Sequence, residues 1–210
     1  RHAVIDPLGM EGVKLSVDML LLHGLRNRLR NTAKVVRSVP IEIRHVAFSG
    51  FCASLSSLTP EQKERGVLLI DMGGGTTDFV VYARNAIAWA GSLPVGGDHV
   101  TNDITHGLQV SKQQAEQLKE SRGNALVDLS LRGQKISVPT ELGVKDQFVP
   151  ITDLHTIIHC RVEEIFHLIR NQLLKQELLH LLSSGVVLVG GGSVLKHVDV
   201  LGGKVFGMPC

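Results

Sequence analysis

The stretch Val67-Leu68-Leu69-Ile70-Asp71-Met72-Gly73-Gly74-Gly75-Thr76-Thr77-Asp78-Phe79-Val80-Val81-Tyr82 decides how this chain is read. Residues 67–70 carry no polar side chain, which suits a strand buried on both faces. Asp71 ends that run, and Gly73-Gly74-Gly75 continue neither a helix nor a regular strand at acceptable cost. Phe79-Val80-Val81-Tyr82 is β-branched and aromatic, so an extended segment resumes behind the turn. The order is strand, glycine turn, strand.

Three glycines in a tight turn leave no side chain between backbone N–H groups and whatever sits above them. Such a nest of amides binds anions, phosphate above all. Asp71 and Asp78 would repel a bare phosphate, so both make sense only with a cation. The amide cradle, the hydroxyls of Thr76 and Thr77 and the two carboxylates fit a nucleotide phosphate with Mg2+, which takes oxygen ligands and keeps several waters. The competing reading is a plain glycine hairpin with Asp as turn former; Asp71 before the turn and Thr76-Thr77-Asp78 after it favour phosphate. A P-loop is excluded, because it needs Gly-Lys-Ser/Thr opening a helix. A dinucleotide fingerprint is excluded too: Asp78 stands where its third glycine belongs, and a strand follows in place of a helix. What remains, Asp71 to Asp78, resembles the second phosphate loop of the actin-like ATPase superfamily.

Composition sets wider bounds. A chain of 210 residues holds one or two domains with a substantial core. Hydrophobic residues at 43% with 20% charged exclude disorder. A net charge of +2 without a basic run gives no reason to expect a nucleic-acid partner. Cys52, Cys160 and Cys210 are far apart with no CxxC spacing, as in the reduced thiols of a cytosolic protein. No stretch approaches ~18 consecutive apolar residues. His155 and His159, like Glu163 and His167, lie four apart in an expected helix, and no second ligand cluster supports a metal there. The chain opens on Arg1-His2 and stops at Pro209-Cys210 behind a strand-like segment, so it is read as an internal piece of a longer protein.

Along the chain, residues 12–22 alternate apolar and polar, which predicts a half-buried strand. Residues 26–39 predict a basic helix stopped by Pro40. Residues 44–58 are expected to start as a strand and become a small-residue helix, and Thr59-Pro60 opens a turn or helix. Arg84-Asn85 signals a hairpin to a second strand over residues 86–93. Helices are expected over 99–108 and 111–121, the latter with Ser111 as N-cap and Gln114 at the capping-box position. On it Glu116 and Lys119 share a face, which by itself is a solvated ion pair. Residues 124–149, with Pro139 and Gly143, suggest small strands and loops. The longest helical pattern covers 152–182, with one stripe of Leu154, Ile158, Val162, Ile165, Ile169 and Leu173. A second apolar strand, residues 186–189, runs into Gly190-Gly191-Gly192-Ser193, whose bare backbone lets a flat ligand approach closely.

The order of these segments narrows the resemblance to the bacterial FtsA cell-division family. Pro94-Val95-Gly96-Gly97-Asp98-His99-Val100-Thr101-Asn102-Asp103-Ile104 has that family's wording behind the phosphate loop. Ala115-Glu116-Gln117-Leu118-Lys119 looks like its adenosine-contacting helix, and Val187 to Ser193 like its adenosine loop. Asp6-Pro7-Leu8-Gly9-Met10-Glu11-Gly12-Val13-Lys14-Leu15 resembles its inserted subdomain, and Ala47-Phe48-Ser49-Gly50-Phe51-Cys52-Ala53-Ser54 its first connecting helix.

The resemblance implies an α/β, actin-like (ribonuclease H-like) ATPase fold, partial, with a small α+β inserted subdomain at the N-terminal end. Residues 1–44 would belong to that subdomain and 45–66 to a remnant of the first actin-like domain. Residues 67–98 and 154–210 would form the second core subdomain, and 99–153 a smaller one. Gly73, Gly74, Gly75, Thr76 and Thr77, with Asp78 behind them, would hold the phosphates of ATP. Asp71 would hold Mg2+ through water and help position a hydrolytic water. Glu116 and Lys119 would bracket ribose and adenine, and Gly190, Gly191, Gly192 and Ser193 would form the adenosine floor. The implied role is a weakly hydrolysing adaptor. It lies in the cytoplasm at the inner face of the cell membrane, binds the FtsZ C-terminal tail through residues 99–153, and associates with itself into filaments.

Departures from the pattern are the missing first phosphate loop, second connecting helix and C-terminal membrane helix, so the isolated piece is expected to bind ATP poorly. Asn124 replaces a frequent Cys, and residues 193–203 differ from the usual helix start. Rival readings are a sugar or acetate kinase, for which no acceptor-side Asp is seen, a DnaK-type chaperone, and the pilus-assembly relative of the same fold.

Overall fold

A computed structural model describes residues 8–14, 16, 17, 19–138 and 147–210. The resemblance placed on residues 6–15 therefore lies partly, and Pro139 and Gly143 wholly, outside the described residues.

Helix α1 (Arg26–Arg37) forms as its pattern predicts, with Lys34 and Arg37 in its last turn, where cations suit the carbonyl end. The strand expected over residues 12–22 is absent among the described residues there. A strand needs a neighbour to take its N–H and C=O groups. None pairs with this stretch among the described residues, and Val13, Val17 and Met19 stand exposed. The strand expected to open residues 44–58 is absent for the same reason, and helix α2 (Ser49–Ser57) follows directly. Helix α3 (Pro60–Arg65) starts with Pro60 in its first turn and a complete capping box between Thr59 and Gln62.

Next come β1 (Val67–Met72), β2 (Thr77–Ala83) and β3 (Ala86–Leu93). Arg84 and Asn85 both take left-handed backbone, at φ 54° and 62°, as a two-residue hairpin turn of the right twist requires. Helices α4 (Gly97–Leu108) and α5 (Lys112–Arg122) follow, α5 with the capping box of Ser111 and Gln114. The small strands β4 (Lys135–Val138) and β5 (Gln147–Pro150) pair antiparallel. Helix α6 (Ile151–Lys175), strand β6 (Val186–Val189) and helix α7 (Val198–Phe206) complete the chain.

The main sheet runs β3-β2-β1-β6. Strand β1 lies antiparallel to β2 and parallel to β6, with Asp71 opposite Asp78 on one side and Val189 on the other. Alternation along β1 and β2 feeds two cores. Leu68, Ile70, Met72, Phe79 and Val81 join the stripe of α6 and the buried residues of α4 and α7. Val67, Leu69, Val80 and Tyr82 face the other way, toward Leu58, Phe48 and Ala53 beside α2. Both faces of β1 are thus buried, as its unbroken apolar run predicts.

Helix α6 buries Leu154, Ile158, Val162, Ile165, Ile169 and Leu173. It ends at Lys175, short of the expected 182. Glu177 takes left-handed backbone at φ 55°, Leu178 N–H donates to Leu173 C=O at 2.9 Å and Glu177 N–H to Leu174 C=O at 3.1 Å. This is a Schellman closure with Glu in the place glycine usually holds, so no glycine marks the stop.

Candidate functional site

Strands β1 and β6 are parallel, so both glycine turns emerge at one end of the sheet, where open α/β sheets place ligands. They touch there. A Cβ on Gly190, which sits at φ 83°, would lie 2.4 Å from Asp71 Oδ1 and 2.8 Å from the Met72 carbonyl. Only glycine lets this backbone pass so close to Asp71. Ser193 Oγ closes the second turn by donating to Gly190 C=O at 2.7 Å.

The first turn is fixed from behind. Gly97 N–H donates to Gly73 C=O at 2.9 Å, Asp98 N–H to Gly74 C=O at 2.8 Å, and Gly73 N–H to Thr76 C=O at 3.0 Å. A Cβ on Gly96 would come within 2.5 Å of both the Gly73 and Gly74 carbonyl oxygens, so that residue too is held to glycine by contact. With the carbonyls drawn toward α4, Gly74, Gly75 and Thr76 are left exposed. Among the described residues the Gly74 and Gly75 amides donate to no backbone carbonyl. Thr77, in contrast, is fully buried and its hydroxyl donates to Val95 C=O at 2.8 Å. Of the two threonines, only Thr76 turns its side chain outward.

The carboxylates behave differently from each other. Asp78 is buried and accepts a hydrogen bond from Ser49 Oγ at the start of α2. Asp71, directly opposite, is half-buried; loss of water and then the neighbouring Asp78 charge push its carboxyl above the usual carboxylate range. Two facing anions beside exposed amides and a hydroxyl fit a phosphate with an oxygen-seeking cation, because that cation would relieve their repulsion.

Glu116 and Lys119 meet the same turn through α4. Lys119 Nζ donates to Glu116 Oε2 at 2.7 Å, Thr101 Oγ1 at 2.8 Å and Gly97 C=O at 3.2 Å, which uses its three N–H groups. Thr101 also hydrogen-bonds Glu116 Oε2. Burial raises the Glu116 carboxyl, but the hydrogen bonds from Lys119 and Thr101, with the charges of Lys119 and Lys112, outweigh it and hold the group below its usual range. Lys119 is therefore turned inward and Glu116 stays ionised at the rim. This is more than the solvated pair that the spacing alone describes.

A cleft of about 580 Å3 opens beside it, lined by Asp98, Lys112, Gln113, Glu116 and Gln117. The Asp98 carboxylate oxygens lie 3.7 Å from where a Gly74 Cβ would stand, which joins the cleft to the first glycine turn. Sequence reasoning singled out neither Asp98 nor Lys112 and Gln113 as site residues. The available signal was helical spacing: Lys112 and Gln113 precede Glu116 by four and three residues and share its face.

Two of the three histidines of α6 meet backbone carbonyls, and His167 is exposed. His155 Nε2 meets Arg122 C=O at 3.1 Å, and His159 Nδ1 meets Ala125 C=O at 2.7 Å. Among the described residues no group of three or more His, Cys, Asp or Glu could hold a metal by itself. No described helix is long and apolar enough to cross a membrane.

Comparison with known proteins adds to this geometry. The family model described as "Cell division protein FtsA" matches residues 68–210. The chain is 32% identical over its whole length to cell division protein FtsA of Pseudomonas aeruginosa, covering 50% of that protein. It is 27% identical to FtsA of Escherichia coli over 98% of this chain and 51% of that one. The chain thus spans about half the length of the curated relatives it matches. Among solved structures, MreB5 of Spiroplasma citri bound to ADP superposes with a TM-score of 0.73 at 21% identity, over 89% of this chain and 60% of that chain. A chain of the PilM–PilN type IV pilus biogenesis complex gives 0.62 at 16% identity, over 86% of this chain and 45% of that one. These structural likenesses establish an actin-like fold.

Proposed function

The chain belongs to the FtsA family of cell-division proteins, and from that premise we propose that it is an ATP-binding, actin-like division adaptor. The observation that carries the proposal is the paired glycine turns at the end of β1 and β6. Exposed amides at Gly74 and Gly75 stand beside the facing carboxylates of Asp71 and Asp78. In this reading Gly73, Gly74, Gly75 and Thr76 cradle the phosphates, and Thr77 holds the turn's shape through Val95. Asp71 holds Mg2+ through water. Glu116 takes the ribose hydroxyls, Lys119 fixes Glu116 in place, and Gly190, Gly191, Gly192 and Ser193 form the floor beneath the base. The magnesium ion would neutralise phosphate charge at the turn.

Family membership supports a wider role as part of the same proposal. The adaptor binds the FtsZ C-terminal tail through residues 99–153, associates with itself into filaments, and works at the inner face of the cell membrane. Residues 1–44, 45–66, 67–98 with 154–210, and 99–153 serve as its structural units. Hydrolysis is weak, so ATP acts as a ligand that favours one conformation; at ~100 times its dissociation constant it adds about 2.7 kcal/mol to that form.

Calorimetric titration of the full protein with ATP tests the site. Binding is expected with Mg2+, weakened by chelation, and insensitive to chelation in Asp71→Asn. Equal affinity with and without Mg2+ in the unaltered protein would refute the assignment of Asp71.

A further inference from the structure

Helix α2 is fastened to β2 at two polar points on one sheet face. Ser54 Oγ and Tyr82 Oη hydrogen-bond at 2.9 Å, both buried. Five residues earlier, at the helix's first residue, Ser49 Oγ donates to Asp78 Oδ2. Between them α2 is pressed onto the strand, since a Cβ on Gly50 would stand 3.2 Å from Val80 Cγ2. Asp78, Val80 and Tyr82 alternate along β2 and so share the face that α2 covers.

The two points differ in kind. The Ser54–Tyr82 contact joins neutral groups enclosed on all sides. Ser49 is exposed, and its partner is a carboxylate directly opposite Asp71. Cross-strand partners lie on the same face at close range, so charge added or removed at Asp71 acts on Asp78 at once. The hydroxyl of Ser49 donates to that carboxylate from the first residue of α2. One contact is thus a fixed pivot, and the other depends on the charge balance at the turn.

We propose that Ser49 is a positioning residue that couples the phosphate turn to α2: its hydroxyl ties the helix start to Asp78, so that filling the site with Mg2+ and nucleotide sets where α2 lies. This rests on the nucleotide reading of the Asp71 site and goes beyond it by naming how occupancy leaves the site. Ser49 itself touches neither ligand.

The test is hydrogen–deuterium exchange of the α2 amides in the full protein, with ADP plus Mg2+ against ADP plus chelator, and nucleotide affinity measured in parallel. In the unaltered protein Mg2+ is expected to slow exchange in the first turn of α2. In Ser49→Ala that slowing is lost and the gain in ADP affinity on adding Mg2+ falls about tenfold, the size of one hydrogen bond to a charged group. Ser49→Thr, which keeps the hydroxyl, restores both. A helix held only by packing would exchange at the same Mg2+-dependent rate in Ser49→Ala, and that result overturns the coupling while leaving nucleotide binding standing. Absence of Mg2+-dependent ADP binding in the unaltered protein overturns both readings together.

Discussion

Asp71 and Asp78 face each other across the first hairpin, and burying two like charges side by side costs stability that an apolar pair would not. The cost is unequal, because Asp78 has Ser49 as donor while Asp71 is pushed above its usual range by burial and by Asp78. The nucleotide-free protein carrying Asp71→Asn is therefore expected to melt higher than the unaltered one near neutral pH, even as its Mg2+ response disappears. Such a trade of stability for function marks a working carboxylate. Glu116 gives the opposite sign. Its folded carboxyl lies below the ordinary value of 4.5, so its contribution to stability is complete above that pH and is lost as pH falls through the lower folded value. Glu116→Gln should lower the melting temperature at pH 7, and the gap should close below pH 4.5; a gap that stays constant would mean Lys119 and Thr101 do not favour the ionised form. The residues Asp71, Glu116 and Lys119 stand out in the sequence by type and spacing. Thr101 and Gly97, which complete the acceptors around Lys119, lie 18 and 22 residues away, beyond any helical period.

At the scale of elements, periodicity and caps were the readable signals. The six-residue stripe of α6, the helix start at Pro60 and the capping box at Ser111 stand where spacing puts them, and the structure adds a second capping box at Thr59. Elements whose existence depends on a neighbour were not readable. The alternating residues 12–22 lack a pairing strand among the described residues and take no strand form there. The end of α6 was hidden for a local reason: Glu177 holds the left-handed position without glycine. That strain is removable. Glu177→Gly is expected to stabilise the protein by about 1 kcal/mol, the left-handed penalty of an L residue. Chemical denaturation measures it, and a loss of stability would show that the unfolded chain's added freedom outweighs the relief.

For the whole molecule, the decisive arrangement is one that no window of sequence contains. Strand β6 lies more than a hundred residues after β1, yet pairs parallel to it and sets Gly190 against Asp71. Both strands read as buried from their apolar runs; β1 is, but β6 lies at the sheet edge and buries only Val186, and its place beside β1 came only through the resemblance. This adjacency brings two unremarkable glycine turns to one end of the sheet, with α4 bracing the first turn and α5 forming the cleft wall of the proposed site. A crystal structure of the full protein with a non-hydrolysable ATP analogue and Mg2+ decides whether this end of the sheet holds the nucleotide. Phosphates are expected against the Gly74 and Gly75 amides, the metal beside Asp71 and the ribose at Glu116. Nucleotide bound elsewhere, with those amides turned to solvent, would contradict this placement.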